Sequence, residues 1–134
     1  MNNVSKYHEI SSLNENTVIV EKDGKKYVKK RVSCELTYIY KILVNNHHEN
    51  VADVVDIFEY DDIKVVIGEY INGENLVDII EQYGKQTEKY TKNIIGQICD
   101  GLTFLHRHNI IHRDVNPNNI MITRNGTVKI IDFD

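Results

Sequence analysis

After Ile110-Ile111 the chain runs into His112-Arg113-Asp114-Val115-Asn116-Pro117-Asn118-Asn119 and then returns at once to apolar residues, Ile120-Met121-Ile122. No regular element accommodates that polar run, because Pro117 lacks a backbone donor and asparagine and aspartate bond their own backbone in turns. A second apolar run, Val128-Lys129-Ile130-Ile131, follows the turn signal Arg124-Asn125-Gly126 and ends on Asp132. Two short strands therefore bracket the polar cluster, and a carboxylate closes the second of them. Taken alone, the cluster reads as a polar turn around Pro117.

The rest of the chain supplies the context. Thr17-Val18-Ile19-Val20 and Lys26-Tyr27-Val28-Lys29 flank an Asp23-Gly24 turn signal, which predicts a β-hairpin. Leu36, Ile39, Tyr40 and Leu43 recur at helical spacing and predict a helix over 33–44. Two β-rich runs, 51–58 and 63–67, predict a second hairpin turning at 59–62. The pattern changes at Tyr70-Ile71-Asn72-Gly73-Glu74, a short polar link and a candidate hinge. Beyond it a short helix is expected over 75–83 and a long one over 87–107, with Ile94, Ile98, Leu102 and Leu105 on one stripe.

Composition narrows the function classes. Of the 134 residues, 41% are hydrophobic and 27% charged, with one proline and seven glycines, as in a globular domain with a real core. The net charge of -4 gives no basic surplus for a phosphate backbone, and the lysines around Tyr27 and Val28 read as a solvated strand face, so no nucleic-acid role is expected. Cys34 and Cys99 form no paired motif, which fits a reducing cytoplasm rather than a disulfide framework or a zinc site. Neither a signal peptide nor an 18-residue apolar span is visible, so no membrane role is expected and a cytoplasmic location is.

His112-Arg113-Asp114 stands five residues before Asn119, counted from the aspartate, and Asp132 lies thirteen residues further on. This resembles the catalytic loop of eukaryotic-type protein kinases, H-R-D-x-x-x-x-N, followed by the metal-binding D-F-G, written here Asp132-Phe133-Asp134. The resemblance, to compact bacterial Ser/Thr kinases in particular, implies an α+β, two-lobe kinase-like fold: an antiparallel N-lobe sheet with one helix over about 1–70, then a hinge and the first part of a helical C-lobe over 71–134. It implies phosphoryl transfer from Mg-ATP to a protein hydroxyl, which demands positioning and charge neutralisation more than covalent work. In that reading Asp114 orients the substrate hydroxyl, Asn119 and Asp132 offer hard oxygens to Mg2+, and His112 and Arg113 support the loop. An aminoglycoside-kinase type of protein shares the fold but usually has a different catalytic-loop pattern.

Upstream, Tyr27-Val28-Lys29-Lys30 resembles the V-A-I-K strand. Strand alternation selects Lys30 over Lys29 as the phosphate-contacting lysine and puts Val28 beside the adenine. Val65-Val66-Ile67-Gly68-Glu69-Tyr70-Ile71 resembles the strand entering the hinge. There Glu69 and Ile71 would offer backbone groups to adenine, and Gly68 would occupy the position that gates the rear pocket. Asn75 falls at a ribose-contacting position, and helix capping explains it equally well.

Several positions depart from the family pattern. Ser11, Leu13 and Asn16 stand where a phosphate-cradling loop has glycines, which predicts weaker or reshaped nucleotide binding. Ile39 falls at the helical glutamate that pairs with the strand lysine, with Glu35 one turn earlier as an alternative. Asn116 replaces a lysine near the γ-phosphate, which predicts slower transfer. Asp134 replaces the last glycine of D-F-G. The sequence stops before any activation segment or A-P-E, so a truncated kinase completed by a partner, a dimer or missing downstream sequence is expected. A pseudokinase or kinase remnant that binds nucleotide or partners is the competing expectation.

Overall fold

The computed structural model describes residues 4–60, 62–112 and 115–131. The expectations placed on Arg113, Asp114, Asp132, Phe133 and Asp134 lie outside the described residues. The chain forms two compact units, one of residues 1–47 with 53–70 and the other of residues 48–52 with 71–134.

The first unit is a five-stranded antiparallel sheet ordered β1-β2-β3-β5-β4, joined by one helix. The Asp23-Gly24 hairpin forms as expected between β2 (Thr17–Lys22) and β3 (Lys25–Val32). Both turn residues have positive φ, 52° and 78°, the conformation whose twist matches a two-residue hairpin. A strand not expected from the sequence, β1 (His8–Ser12), pairs with β2 through a bulge between Glu9 and Ser11. All five of its residues are exposed, so it carries no alternating apolar signal.

The helix is shorter than its periodicity suggested. Residues Cys34–Leu36 close as a 3-10 turn, with the Leu36 N–H bonded to the Ser33 carbonyl at 3.1 Å, and only Thr37–Leu43 is α-helical (α1). Ser33 provides no side-chain cap, and the Thr37 hydroxyl donates back to the Ser33 carbonyl, so nothing fixes a regular first turn. Thr37, Ile39, Tyr40 and Leu43 are its buried residues. The second hairpin is β4 (Val54–Tyr60) and β5 (Ile63–Glu69). Its first strand begins three residues later than expected, because Val51 pairs with Ile130 instead.

In the second unit, β6 (Gly73–Asn75), β7 (Ile120–Thr123) and β8 (Val128–Ile130) form a small antiparallel sheet. Two helices accompany it, α2 (Leu76–Tyr83) and α3 (Glu88–Arg107), and both begin on side-chain caps. Asn75 Oδ1 accepts from the Asp78 N–H at 2.9 Å and Thr87 Oγ1 from the Tyr90 N–H at 3.1 Å. The apolar stripe behaves as expected. Ile94 packs with Ile120, Ile122, Val128 and Ile130, and Ile98 and Leu102 join from the same helix. The short β6 is explained by Gly73, where a Cβ would collide with the Ile122 carbonyl of the neighbouring strand. None of the described helices is long and apolar enough to cross a membrane.

The segment 48–52 is tied into this unit by a buried amide. Asn50, 1% exposed, donates at 3.0 Å to both the Gln97 side-chain oxygen and the Val128 carbonyl. Its own carbonyl accepts from the Ile130 N–H, and the Ala52 N–H donates to the Ile130 carbonyl. Gln97 completes the set by accepting from the Val128 N–H at 2.9 Å and donating to the Gly126 carbonyl. Replacing Asn50 by alanine removes both side-chain bonds and leaves the Val128 carbonyl short of a donor in a dry site. A loss of about 1–3 kcal/mol is expected for Asn50→Ala, read as a lower midpoint in urea denaturation.

Candidate active site

The segment Asn116–Asn119 is built from its own short-range bonds. Pro117 starts a 3-10 turn, Pro117–Asn119, at a position where a missing N–H has no consequence. Asn116 Oδ1 accepts from the Asn118 N–H at 2.8 Å, and the Asn116 carbonyl accepts from the Asn119 N–H at 2.9 Å. The turn delivers Asn119 with only 8% of its surface exposed. The polar turn expected around Pro117 is formed, and it sets the backbone from which the Asn119 side chain projects.

Two further bonds join this loop to the strand end. The Ile131 N–H donates to the Asn119 carbonyl at 3.0 Å, and His112 Nε2 contacts the Ile131 carbonyl at 2.9 Å. A carbonyl only accepts, so Nε2 carries the proton in this contact. The main chain of Ile131 is thus held from both sides, by residues at the two ends of the loop that contains Asp114. Asp132 is the next residue.

In the first unit, strand alternation separates the two lysines. Lys29 Nζ lies 2.8 Å from Glu9 Oε1, and this contact holds the Glu9 carboxyl below its ordinary range, chiefly through the hydrogen bond. Lys30 points the other way, with Nζ 5.7 Å from the centroid of the Tyr40 ring on α1. Val28 lies opposite Gly68, and a Cβ on Gly68 would sit 3.5 Å from a Val28 methyl and 3.3 Å from the Asp53 carbonyl. The Glu69 N–H donates to the Asp53 carbonyl at 2.9 Å, and Glu69 Oε1 accepts from the Asp53 N–H. Ile71 follows in the second unit and is half-buried, and Asn75 is the cap of α2.

The β1–β2 connection differs from a phosphate cradle in its bonding as well as its sequence. The Leu13 and Asn14 N–H groups both donate to the Thr17 carbonyl, and the Asn16 N–H donates to Asn14 Oδ1 at 2.9 Å. The Asn16 carbonyl in turn accepts from the Arg31 N–H. Amides that a glycine-rich loop would turn toward phosphate are engaged here within the hairpin.

Ile39, at the position expected for the helical glutamate, is 2% exposed, and Glu35 is exposed in the 3-10 turn. Sequence reasoning missed Ile131, which acts only through its backbone. Among the described residues no group of three histidine, cysteine or acidic side chains could hold a metal. The buried Asn119 amide is a hard oxygen donor of the kind magnesium accepts when phosphates and water complete its shell.

A five-stranded antiparallel sheet with one helix, followed by a helical unit with an Asn-bearing loop clasped to a strand end, defines a protein-kinase-like fold. The chain belongs to the protein kinase domain family, whose pattern matches residues 4–134. It is 30% identical over 131 residues to the serine/threonine-protein kinase cds1 of Schizosaccharomyces pombe, covering 98% of this chain and 27% of that protein. It is 38% identical over 93 residues to serine/threonine-protein kinase 36 of Pongo abelii, covering 69% of this chain and 7% of that protein. A bacterial relative, the serine/threonine-protein kinase drp72 of Corynebacterium efficiens, is 37% identical over 94 residues, 66% of this chain and 18% of that protein. The chain spans about a third or less of the length of such curated relatives. Among solved structures, Rad53 1-466 in complex with AMP-PNP superposes with a TM-score of 0.83 at 23% identity, covering 96% of this chain and 38% of that one.

The clasp at Ile131 is open to a direct test. His112→Phe keeps a ring of similar size and removes the donor to a carbonyl beside a buried residue, so a loss of about 1–3 kcal/mol is expected. Faster amide hydrogen exchange at Ile131 than in the parent would accompany it, and unchanged protection there would show that His112 does not hold the strand end.

Proposed function

We propose that this chain carries the nucleotide-binding and catalytic-loop part of a Ser/Thr protein kinase that transfers phosphate from Mg-ATP to a protein hydroxyl. The observation that carries the reading is the pinned loop. His112 and Asn119, which precede and follow Asp114 in the sequence, are both fastened to Ile131, the residue just before Asp132. Family membership and the AMP-PNP carried by the Rad53 structure support nucleotide as the ligand class.

In this proposal residues 1–70 correspond to the small lobe and 71–134 to the hinge and first part of the large lobe. Val28 borders the adenine, Glu69 and Ile71 present main-chain groups to its edge, and Asn75 reaches the ribose from the start of α2. Lys30 places its ammonium on the α- and β-phosphates. Asp114 orients the acceptor hydroxyl and takes its proton as transfer proceeds. Asn116 stands where many kinases carry a lysine, so the γ-phosphate meets an amide instead of a charge. Asn119 and Asp132 are the oxygen donors for magnesium, which when bound would neutralise phosphate charge. A cytoplasmic setting is proposed with this, in keeping with Cys34 and Cys99 as free, exposed thiols.

A second reading, a pseudokinase that binds nucleotide or a partner without transfer, is favoured by one observation: the β1–β2 amides are bonded within the hairpin. Calorimetric titration with Mg-ATP and an autophosphorylation assay separate the two. The kinase reading expects binding in the parent, a roughly 10²-fold or greater loss of transfer in Asp114→Asn with binding retained, and loss of magnesium dependence in Asp132→Asn. Transfer that survives Asp114→Asn removes that residue as the base. A parent that binds ATP yet never transfers supports the pseudokinase reading, and one with no nucleotide affinity leaves a partner-binding module.

The loop makes its own prediction. Restoring glycine at Ser11, Leu13 and Asn16 together frees the backbone to approach phosphate, and one added charge-assisted N–H bond corresponds to roughly tenfold tighter Mg-ATP binding. Unchanged affinity in the triple variant would mean that the triphosphate does not lie against this hairpin.

A further inference from the structure

We propose that a cleft in the second unit, between α2, the start of α3 and the β7–β8 turn, is a docking site for an extended segment of a partner protein that carries a basic, an apolar and an acidic residue at alternate positions. The cleft has a volume of about 540 Å³, within the range of ligand-binding pockets. Its walls are set by local structure. α2 ends at Tyr83, where Gly84 turns the chain with φ 70°, and α3 begins again on its Thr87 cap, with Tyr90 in its first turn. Across from them lie β6 and the turn that follows β7. Two of the lining positions, Gly73 and Gly126, have no side chain, and a Cβ at Gly126 would meet nothing within 4 Å.

None of the residues proposed to touch nucleotide lines this cleft. Asn75 adjoins it in sequence but not in direction. Glu74 pairs with Ile122 across β6 and β7, and Asn75 pairs with Met121, so strand alternation sends Glu74 and Ile122 to one face of the sheet and Asn75 to the other. Docking here goes beyond the kinase reading, and it stands or falls apart from nucleotide binding.

The chemistry of the walls defines the partner. The floor is Ile122, which is buried, with Ile79 and Tyr90 half-buried beside it. Tyr83 stands at the edge 63% exposed, and Ile80, about one helical turn before it, is 45% exposed, so apolar surface continues out of the cleft along α2. A surface that runs past its pocket suits a chain lying along it better than a small molecule, which a pocket encloses. Opposite charges flank the floor, since Glu74 is the cross-strand neighbour of Ile122 and Arg124 lies two residues beyond Ile122. Among the described residues neither of these two side chains has an ion-pair or hydrogen-bond partner. Rim charges of both signs favour a segment that carries the complements and penalise one that carries like charge. Side chains of an extended peptide alternate, so an apolar anchor with charged residues two positions to either side presents all three to one surface.

The test titrates two synthetic probes, acetyl-Lys-Ala-Phe-Ala-Glu-amide and acetyl-Glu-Ala-Phe-Ala-Lys-amide, into the full isotope-labelled chain and follows the amide resonances of Tyr83, Tyr90, Ile122 and Gly126. Saturable shifts at these positions with one of the two probes, in the presence and in the absence of Mg-ATP, are expected. Tyr83→Ala, at an exposed position, should weaken that probe roughly three- to tenfold. Arg124→Glu should weaken it by about threefold or more, and a probe with Lys in place of Glu should recover the lost affinity on the Arg124→Glu chain while binding the parent less well. Absence of saturable shifts with both probes overturns the proposal, and so does parent-like affinity in either variant or failure of the reversed charge to restore binding. Equal affinity for N-acetylphenylalanine amide overturns it in favour of a small-molecule pocket. The same shifts appearing when the chain alone is concentrated, with its mass doubled in sedimentation, overturn it in favour of a second copy. A parent that docks the probe but has no Mg-ATP affinity supports the docking site and removes the nucleotide reading alone.

Discussion

The peptide unit of Ile131 is the fixed point of the second unit. Its N–H is held by the Asn119 carbonyl and its carbonyl by the His112 ring, while one residue earlier Ile130 exchanges bonds with Asn50 and Ala52. Each of these is an ordinary hydrogen bond, worth about 1 kcal/mol net, but they act on consecutive residues, buried Ile130 and half-buried Ile131, where leaving one unmade is costly. The consequence is positional. His112 and Asn119, at the two ends of an asparagine-rich segment, are both fastened to Ile131, the residue that follows β8. The Asn50 amide extends the same logic by fixing the other edge of β8 and the Gln97 side chain of α3. Stability and site geometry therefore share their bonds here, which is why substitutions at His112 and Asn50 are structural perturbations of the site even though neither residue carries the chemistry.

The first unit solves a different problem, that of keeping several lysines on one hairpin from acting alike. Lys29 and Lys30 are adjacent, yet the pleat sends one to Glu9 across β2 and the other to Tyr40 on α1. Alternation thus converts two identical side chains into two environments, an exposed ion pair with little energetic weight and a contact with a nearly buried ring. The same hairpin stacks Lys22 on Tyr7 and Lys25 on Tyr27, while Tyr7 itself packs with Val20 and Ile67 in the core. Burial pushes the Tyr7 phenol up from its ordinary value, with the Lys22 charge working against that shift. The basic strand that composition reads as a solvated face is in part an aromatic-braced one.

What could be read from the sequence follows from which signals are local. The Asp23-Gly24 turn, the caps at Asn75 and Thr87 and the stripe through Ile94 and Leu105 are each decided within a few residues, and they appear where local physics puts them. β1 could not be read, because His8-Glu9-Ile10-Ser11-Ser12 is a polar edge strand whose only instruction is its neighbour β2. β6 is Gly-Glu-Asn, a strand only because Gly73 admits the Ile122 carbonyl. Val51 reads as the start of β4 by propensity, but the free backbone of Ile130 captures it in a parallel bridge. The resemblance to the kinase loop and strand is what makes Asn119 and Lys30 candidates; it gives no signal for Ile131, whose contribution is a peptide group that every residue possesses.

The departures from the family pattern share one direction. Lost glycines leave the β1–β2 amides bonded to Thr17 and Asn14, an isoleucine takes the glutamate position, and Asn116 stands in place of a lysine. In the proposed kinase reading all three fall on how phosphate is gripped, whereas Asn119 and the bonds that hold its loop are present. Substitutions scattered by drift would also be expected to loosen the clasp, since its bonds run through the same loop as Asn116. Instead Asn116 has become part of that loop's internal bonding, its side chain accepting from Asn118. In that reading the grip on the triphosphate and the scaffold of the loop are separable. The changes fall on the first, with an amide where a charge would stand.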